Sequence, residues 1–250
     1  MRTPPAAFFI RHHVRLTKST NDIARELAET GAPEGTTVTA ARQTAGRGRR
    51  GNTWESSEGN VFLSMVLRPD GTPQAAAQIS FVMAVAVQEL VTARLPGVPV
   101  QLKWPNDVLC GGKKVSGILL EAGPASDRGI DWLVAGLGIN VAHKPKSRND
   151  ATSLHDEGDF DASADSVIID FCERFLPWYE MWQSNGFRNV RKAWLAAAYG
   201  LADPIRIRLP REEIDAVFEG LDEEGALLAR LTDGTQRKVT GGEVYFGGTG

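Results

Sequence analysis

Val61 to Leu67 reads VFLSMVL, apolar with little alternation, which predicts a strand covered on both faces. From about Gln74 to Leu95 the apolar positions Ile79, Phe81, Val82, Val85, Val87, Leu90 and Val91 occupy much of a helix's circumference. That pattern predicts a central helix packed on a sheet. Upstream, Phe8 to Leu16 reads as a first strand, and Thr36 to Ala40 as a second. Between them, Ser19-Thr20-Asn21-Asp22 opens a helix whose apolar residues Ile23, Ala24, Leu27 and Ala28 keep helical spacing up to Gly31. Ser or Thr at that start predicts an N-cap. Downstream, Val98 to Trp104 is a strand, and Cys110 to Lys113 a hairpin turn. Lys114 to Glu121 follows as a strand containing Gly117, then Asp131 to Val141 as one interrupted by Gly136 and Gly138. Glycine within a strand marks a place where something approaches the backbone closely.

The polar stretch His143 to Asp161 predicts a long or poorly ordered loop. Two helices follow, Ser163 to about Gln183 and Phe187 to Ala198, and Pro177 should bend or split the first. From Leu201 the texture changes to short β-like runs at Ile205–Leu209, Ile214–Leu221, Ala226–Leu231, Arg237–Thr240 and Glu243–Phe246. Their spacing fits a small antiparallel barrel. The expected division is therefore residues 1–200 and 201–250.

At 250 residues the chain has room for one large and one small domain. A net charge of −3 argues against a protein that wraps nucleic acid, so a local basic cluster reads as a site. Cys110 and Cys172 show no metal-ligand spacing and read as buried thiols in a reducing compartment. No signal peptide follows Met1, and Gln78, Ser80, Gln88 and Glu89 interrupt the apolar helix too often for a bilayer span. A cytoplasmic protein is expected. His12, His13, His143 and His155 have no ligand or triad spacing.

The chemistry concentrates in Gln43 to Trp54, QTAGRGRRGNTW. Gly46, Gly48 and Gly51 let the backbone turn tightly, while Arg47, Arg49 and Arg50 supply three permanent charges. The stretch also fits G-x-G-x-x-G, but a dinucleotide turn must open a helix, and a β-like run follows here. The loop suits an anion. Taken alone it could equally be a mobile, solvated basic loop.

With Ser19-Thr20-Asn21, this loop, Lys103-Trp104-Pro105-Asn106-Asp107, Lys114 with Gly117 to Glu121, and Gly136 to Asn140 in this order, the chain resembles the biotin–protein ligases over nearly its whole length. The resemblance implies an α/β fold: a mixed-sheet catalytic domain of the class II aminoacyl-tRNA synthetase/biotin ligase-like type, followed by a small SH3-like β-barrel. It also implies ATP, Mg²⁺ and biotin, with biotinoyl-5′-AMP as intermediate and a lysine of a biotin carboxyl carrier protein as acceptor.

Residue by residue, the resemblance assigns Ser19, Thr20, Asn21 and Gln43 to the ureido ring of biotin, and Gly46 and Gly117 to its pocket. Arg47, Arg49 and Lys114 would act on the carboxylate and α-phosphate, with Arg50 on the nucleotide side. Trp54 would cover the intermediate and Asn140 would meet adenine near Gly138. Asn106 and Asp107 would orient the nucleotide or the metal, Asp107 being the candidate Mg²⁺ ligand. Lys103 reads either as chemistry or as strand-end packing. The loop is expected to be mobile when empty. Because the first strand begins almost at Met1, the expectation is a ligase without a DNA-binding domain. An edge strand of the sheet could pair two copies, as in relatives. Glu243 to Gly248 lacks the basic residue that some relatives place near the nucleotide. Two other readings remain: a lipoate–protein ligase, and a non-catalytic ligand or nucleic-acid binder.

Overall fold

The computed structural model describes residues 5–126 and 129–246. In chain order the elements are α1 (Pro5–Phe8), β1 (Ile10–Thr17), α2 (Thr20–Glu29), β2 (Thr36–Gln43), β3 (Val61–Leu67), α3 (Pro73–Ala77) and α4 (Ile79–Arg94). There follow β4 (Val100–Lys103), β5 (Asp107–Cys110), β6 (Lys113–Ala122), the short pair β7 (Ala125–Ser126) and β8 (Gly129–Ile130), then β9 (Leu133–Ile139). The chain continues through α5 (Ala164–Asn185) and α6 (Arg188–Ala196) to β10 (Pro204–Arg208), β11 (Glu213–Leu221), β12 (Leu227–Leu231), β13 (Gln236–Val239) and β14 (Glu243–Phe246).

Seven strands form one mixed sheet in the order β1-β2-β3-β9-β6-β5-β4, parallel only between β1 and β2. Alternation along its central strands decides what each face meets. Val61, Leu63, Met65 and Leu67 of β3 and Leu133, Ala135, Leu137 and Ile139 of β9 join α4, α5 and α6 in the main core. Val66 and Val134 point the other way, onto Ala24 and Ala28 of α2. The α2 face also carries the remaining even-numbered residues of β3 and β9: Phe62 and Ser64, Gly136 and Gly138. In register, Phe62, Gly138 and Gly117 form one row across β3, β9 and β6, and Ser64, Gly136 and Leu119 form the next.

Several expectations need correction. The first strand begins at Ile10 because Phe8 belongs to a helical turn, its ring packed on Phe9 and Tyr179 at 4.9 and 6.2 Å. Gly136 and Gly138 do not interrupt β9, which is paired along its whole length on both sides. Pro177 does not split α5: stacked Phe171, Phe175, Tyr179 and Trp182, 5.5, 5.4 and 5.8 Å apart, hold one buried aromatic face through the proline. Residues 143–161 lack regular structure but are well held. Ala151 to Leu154 are buried, and Lys114 exchanges 2.9 Å backbone hydrogen bonds with Asp150 and Thr152. Pro73–Arg94 is, by length and composition, apolar enough to cross a membrane despite its polar interruptions, yet 67% of its most apolar window is buried inside the protein.

The last five strands form an antiparallel sheet in the order β13-β12-β11-β10-β14. Among the described residues its edges β13 and β14 do not pair, so the sheet is open where a closed barrel was expected. It shares the main core with α4 and α6. Trp104 Nε1 donates to Gly225 O at 3.1 Å, and Trp194 meets Phe218 edge-on.

Candidate active site

A cavity of about 340 Å³ lies on the α2 face of the large sheet, beneath the Gly/Arg loop. Its wall includes Ser19, Thr20, Asn21, Gln43, Arg47, Arg49, Arg50, Trp54, Lys103, Asn106, Asp107, Lys114, Gly117 and Asn140, together with Gly242 to Tyr245 from the C-terminal sheet. Gly46 is not on the wall. A Cβ there would stand 2.6 Å from both Ser56 Oγ and Trp54 O, and 3.0 Å from Gln43 Nε2. Glycine is needed at 46 so that the two arms of the loop can close, with Trp54 N–H donating to Gly46 O at 2.9 Å.

One end of the cavity is uncharged and polar. Ser19 occupies the N-cap position of α2 but makes no side-chain capping bond. Gln43 substitutes for it: its Oε1 accepts from Thr20 N–H at 2.7 Å, while its Nε2 donates to Ser56 Oγ at 3.0 Å. Both ends of the Gln43 amide are thus engaged within the protein, one on α2 and one on the returning arm of the loop. Behind Thr20 and Asn21 lies Ser64, with Oγ 2.7 Å from Thr20 Oγ1 and 2.5 Å from Asn21 Oδ1. Asn21 Nδ2, Trp54 Nε1 and Asn140 Oδ1 are buried without a partner among the described residues. All three residues line the cavity. A buried polar atom left unbonded costs ~1–3 kcal/mol, so this wall is shaped for a ligand that supplies partners.

The other end is charged, and its cations are not equivalent. Arg47 is engaged by carboxylates: Nη1 lies 2.9 Å from Asp22 Oδ1 and Nη2 3.1 Å from Glu121 Oε1. Burial opposes its charge, but these two acids outweigh burial and raise its pKa. Arg49 donates to Asn106 Oδ1 at 3.3 Å and has no ion pair among the described residues. Burial, followed by the neighbouring Arg50, lowers its pKa. Arg50 is exposed and adopts the left-handed conformation, φ 55°, at the loop's turn. Lys114 Nζ sits 2.5 Å from Asp107 Oδ1 and 5.5 Å from the centre of the Trp54 ring. Lys103, whose two readings stood open, lines the cavity and also lies 5.7 Å over the Phe246 ring. Burial lowers its pKa.

Trp54 lies on the Gly138–Gly117 row. A Cβ at 138 would be 2.4 Å from Trp54 Cε2, and one at 117 would be 3.0 Å from Cζ3. The strand glycines therefore form a flat floor for a planar group. Asn140 is fixed beside it by Nδ2–H donation to Thr152 O at 2.9 Å.

Residues 13–140 match the profile of the biotin/lipoate A/B protein ligase family, and residues 203–247 that of the biotin protein ligase C-terminal domain. Over 93% of its length the chain is 40% identical to a biotin–[acetyl-CoA-carboxylase] ligase of Paracoccus denitrificans, covering 98% of that protein. The chain belongs to the biotin/lipoate A/B protein ligase family. It is also 36% identical, over 92% of its length and 71% of the relative's, to the bifunctional ligase/repressor BirA of Bacillus subtilis. In structure it resembles the Aquifex aeolicus biotin protein ligase in complex with biotin and ATP, with a TM-score of 0.78, 29% identity, and coverage of 94% of this chain and 97% of that one.

For this ligase-family site, four participants were not singled out from the sequence: Asp22, Ser56, Ser64 and Glu121. A signal existed for Ser64, the single polar residue within VFLSMVL. Asp22 and Glu121 stand within stretches quoted above, but nothing in those stretches points to Arg47, which lies 25 and 74 residues away.

Proposed function

We propose that the protein is an ATP-dependent ligase that activates biotin and transfers it to a lysine of a carboxylase carrier domain. One observation carries this reading: a single cavity joins an uncharged end holding donors and acceptors without partners among the described residues to an end where Arg49, with no ion pair among them, stands beside Lys114. The first end suits a cyclic urea, the second a carboxylate meeting a phosphate. In the first half-reaction a biotin carboxylate oxygen bonds to the α-phosphorus of ATP, and the bond to pyrophosphate breaks. In the second, a neutral lysine amine attacks the acyl carbon, AMP leaves with the bonding pair, and the nitrogen loses a proton.

In the first step negative charge is spread over the α-phosphate oxygens. Arg49 and Lys114 are fixed cations that stabilise it without reorganising. Asp107 holds the Lys114 ammonium in place, and Asn106 orients Arg49. Trp54 and the loop cover the mixed anhydride and exclude water. Arg47 acts by holding the loop to α2 and β6 through Asp22 and Glu121. The described residues hold no cluster of three metal-ligating side chains. That is compatible with Mg²⁺, which one or two carboxylates hold together with substrate phosphates. Asp107, with Asn106 beside it, would hold the ion, which neutralises phosphate charge.

The relatives support this reading, and the uncharged polar end favours biotin over lipoate, whose linear chain has no use for it. The acidic net charge also favours an enzyme over a nucleic-acid binder. We divide the chain into a catalytic unit up to about residue 200 and a C-terminal unit that closes one side of the cavity. Two free cysteines accord with a cytoplasmic setting.

The test is biotin-dependent exchange of labelled pyrophosphate into ATP. Wild-type protein should exchange, and Arg49→Ala and Lys114→Ala should each lose about 10²–10³-fold in rate, the usual consequence of removing one preorganised charge partner. Exchange driven by lipoate and not by biotin refutes the substrate assignment. Undiminished exchange in both variants refutes the site.

A further inference from the structure

Ser64 is the only polar side chain in β3 and is fully buried. It does not line the cavity itself. It stands behind Thr20 and Asn21, both of which do, at 2.7 Å from Thr20 Oγ1 and 2.5 Å from Asn21 Oδ1. A hydroxyl carries one proton, and an amide oxygen only accepts. Ser64 must therefore donate to Asn21 Oδ1, and the contact with Thr20 is made by the threonine's proton. Gln43 Oε1, which accepts from Thr20 N–H at 2.7 Å, also lies within reach of the Thr20 hydroxyl at 3.2 Å, but Ser64 Oγ is nearer at 2.7 Å and takes the stronger bond.

Two consequences follow for the face that a ligand meets. The Asn21 amide is pinned with its oxygen on the sheet, where Gly136 makes room: a Cβ at 136 would stand 2.4 Å from Asn21 Oδ1. Its Nδ2, buried and without a partner among the described residues, is left as a donor. At Thr20 the proton is drawn inward, so Oγ1 offers lone pairs to the cavity. A donor and an acceptor stand on adjacent residues at the first turn of α2.

We infer that Ser64 is a positioning residue that sets the polarity of this end, fixing Asn21 as donor and Thr20 as acceptor, and so selects a cyclic urea, whose carbonyl sits beside an N–H. The inference rests on the proposed biotin site and adds a residue to it. A cyclic guanidinium such as 2-iminobiotin places a donor where the urea has its carbonyl. It would meet Asn21 Nδ2 donor to donor, at the cost of an unsatisfied buried group.

The experiment compares wild type with Ser64→Ala and Ser64→Cys, the latter retaining volume with a weak donor, in case the alanine variant does not fold. Calorimetric titration with biotin, without ATP, should show Kd raised about 10–100-fold in both. Discrimination between biotin and 2-iminobiotin should fall by about tenfold or more. The KM for ATP at saturating biotin should stay within about twofold of wild type, because uniform damage would move both substrates. Thr20→Val combined with Ser64→Ala should lose less than the sum of the single losses, because both remove one chain of protons. Unchanged biotin affinity and unchanged discrimination in a folded variant overturn the inference, as does a parallel rise in the KM for ATP. A wild-type protein without biotin-dependent exchange brings down the underlying site assignment, a result distinct from the variant data.

Discussion

Replacing Gly138 by alanine tests whether the glycine row exists to seat Trp54. The residue lies in mid-strand, paired to Phe62 on one side and Gly117 on the other, so alanine meets no conformational penalty there. The new methyl would stand 2.4 Å from Trp54 Cε2, whereas carbon atoms pack at about 3.5–4.0 Å. One of the two must move by more than about 1 Å. The strand is held from both sides in the middle of a seven-stranded sheet, while Trp54 rides on a loop, so the indole lifts. Burying an aromatic side chain fully contributes ~1.5–3 kcal/mol, and about half of that applies to a half-buried ring. Loss of the Lys114 ammonium from the ring face, now at 5.5 Å, adds ~0.5–1 kcal/mol. The sum, ~1.2–2.5 kcal/mol, corresponds to roughly 8–70-fold. We expect kcat/KM for ATP in pyrophosphate exchange to fall by that factor while the melting temperature moves by less than about 4 °C. Gly117→Ala should be milder, within about threefold, because its nearest contacts, 3.0 Å to Trp54 and 3.2 Å to the tip of Lys114, can yield by small shifts. A Gly138→Ala enzyme with wild-type kcat/KM for ATP, or a Gly117→Ala enzyme worse than Gly138→Ala, refutes the argument. A large fall in melting temperature would show that the strand had yielded in place of the loop.

Two further outcomes follow from ionisation. Lys103 is held below the ordinary lysine value of 10.5, first by burial and then by Lys114, against the opposing pull of Asp107. Its charge is complete below the lowered value and is lost as pH rises through it, so the KM for ATP should climb at a lower pH in the wild type than in Lys103→Arg, as measured by exchange across the alkaline range. Burial pushes the thiols of Cys110 and Cys172 up to about 11 and about 12. At pH 8 fewer than about one in 10³ is the reactive thiolate, so Ellman's reagent should label neither in the native protein within minutes, and both after unfolding.

Local pattern made most of this fold legible. Val61 to Leu67 is the strand its mostly apolar run predicts, and the helix near residues 79–94 is as central as its apolar circumference requires. The misses share a cause. Pro177 should break a helix on local grounds, but four stacked aromatic rings bind α5 to the core on both sides of it. Residues 143–161 look unstructured by composition because their order comes from backbone pairing to Lys114, far away in sequence. In the site, Arg49 and Lys114 stand out in the sequence by residue type, and both line the cavity. Gln43 lines the cavity, and its geometry shows it joining α2 to Ser56, which its position in the sequence could not reveal.

The three arginines of the loop show the same limit more sharply, since nothing in GRGRRG distinguishes them. Tertiary partners do. Arg47 meets Asp22 and Glu121 and has its charge balanced before any ligand arrives. Arg50 takes the left-handed turn and faces solvent. Arg49 alone is partly buried and unpaired among the described residues, at the cost of a lowered pKa. If all three pointed inward beside Lys103 and Lys114, the empty cavity would hold five cations in a partly desolvated space, and their mutual repulsion would open the loop. Asp22, Glu121 and Asp107 reduce this repulsion by pairing with Arg47 and Lys114, while Arg49 and Lys103 have no ion pair among the described residues. The acids around the site therefore lower the electrostatic cost of gathering a strongly basic loop beside Lys103 and Lys114.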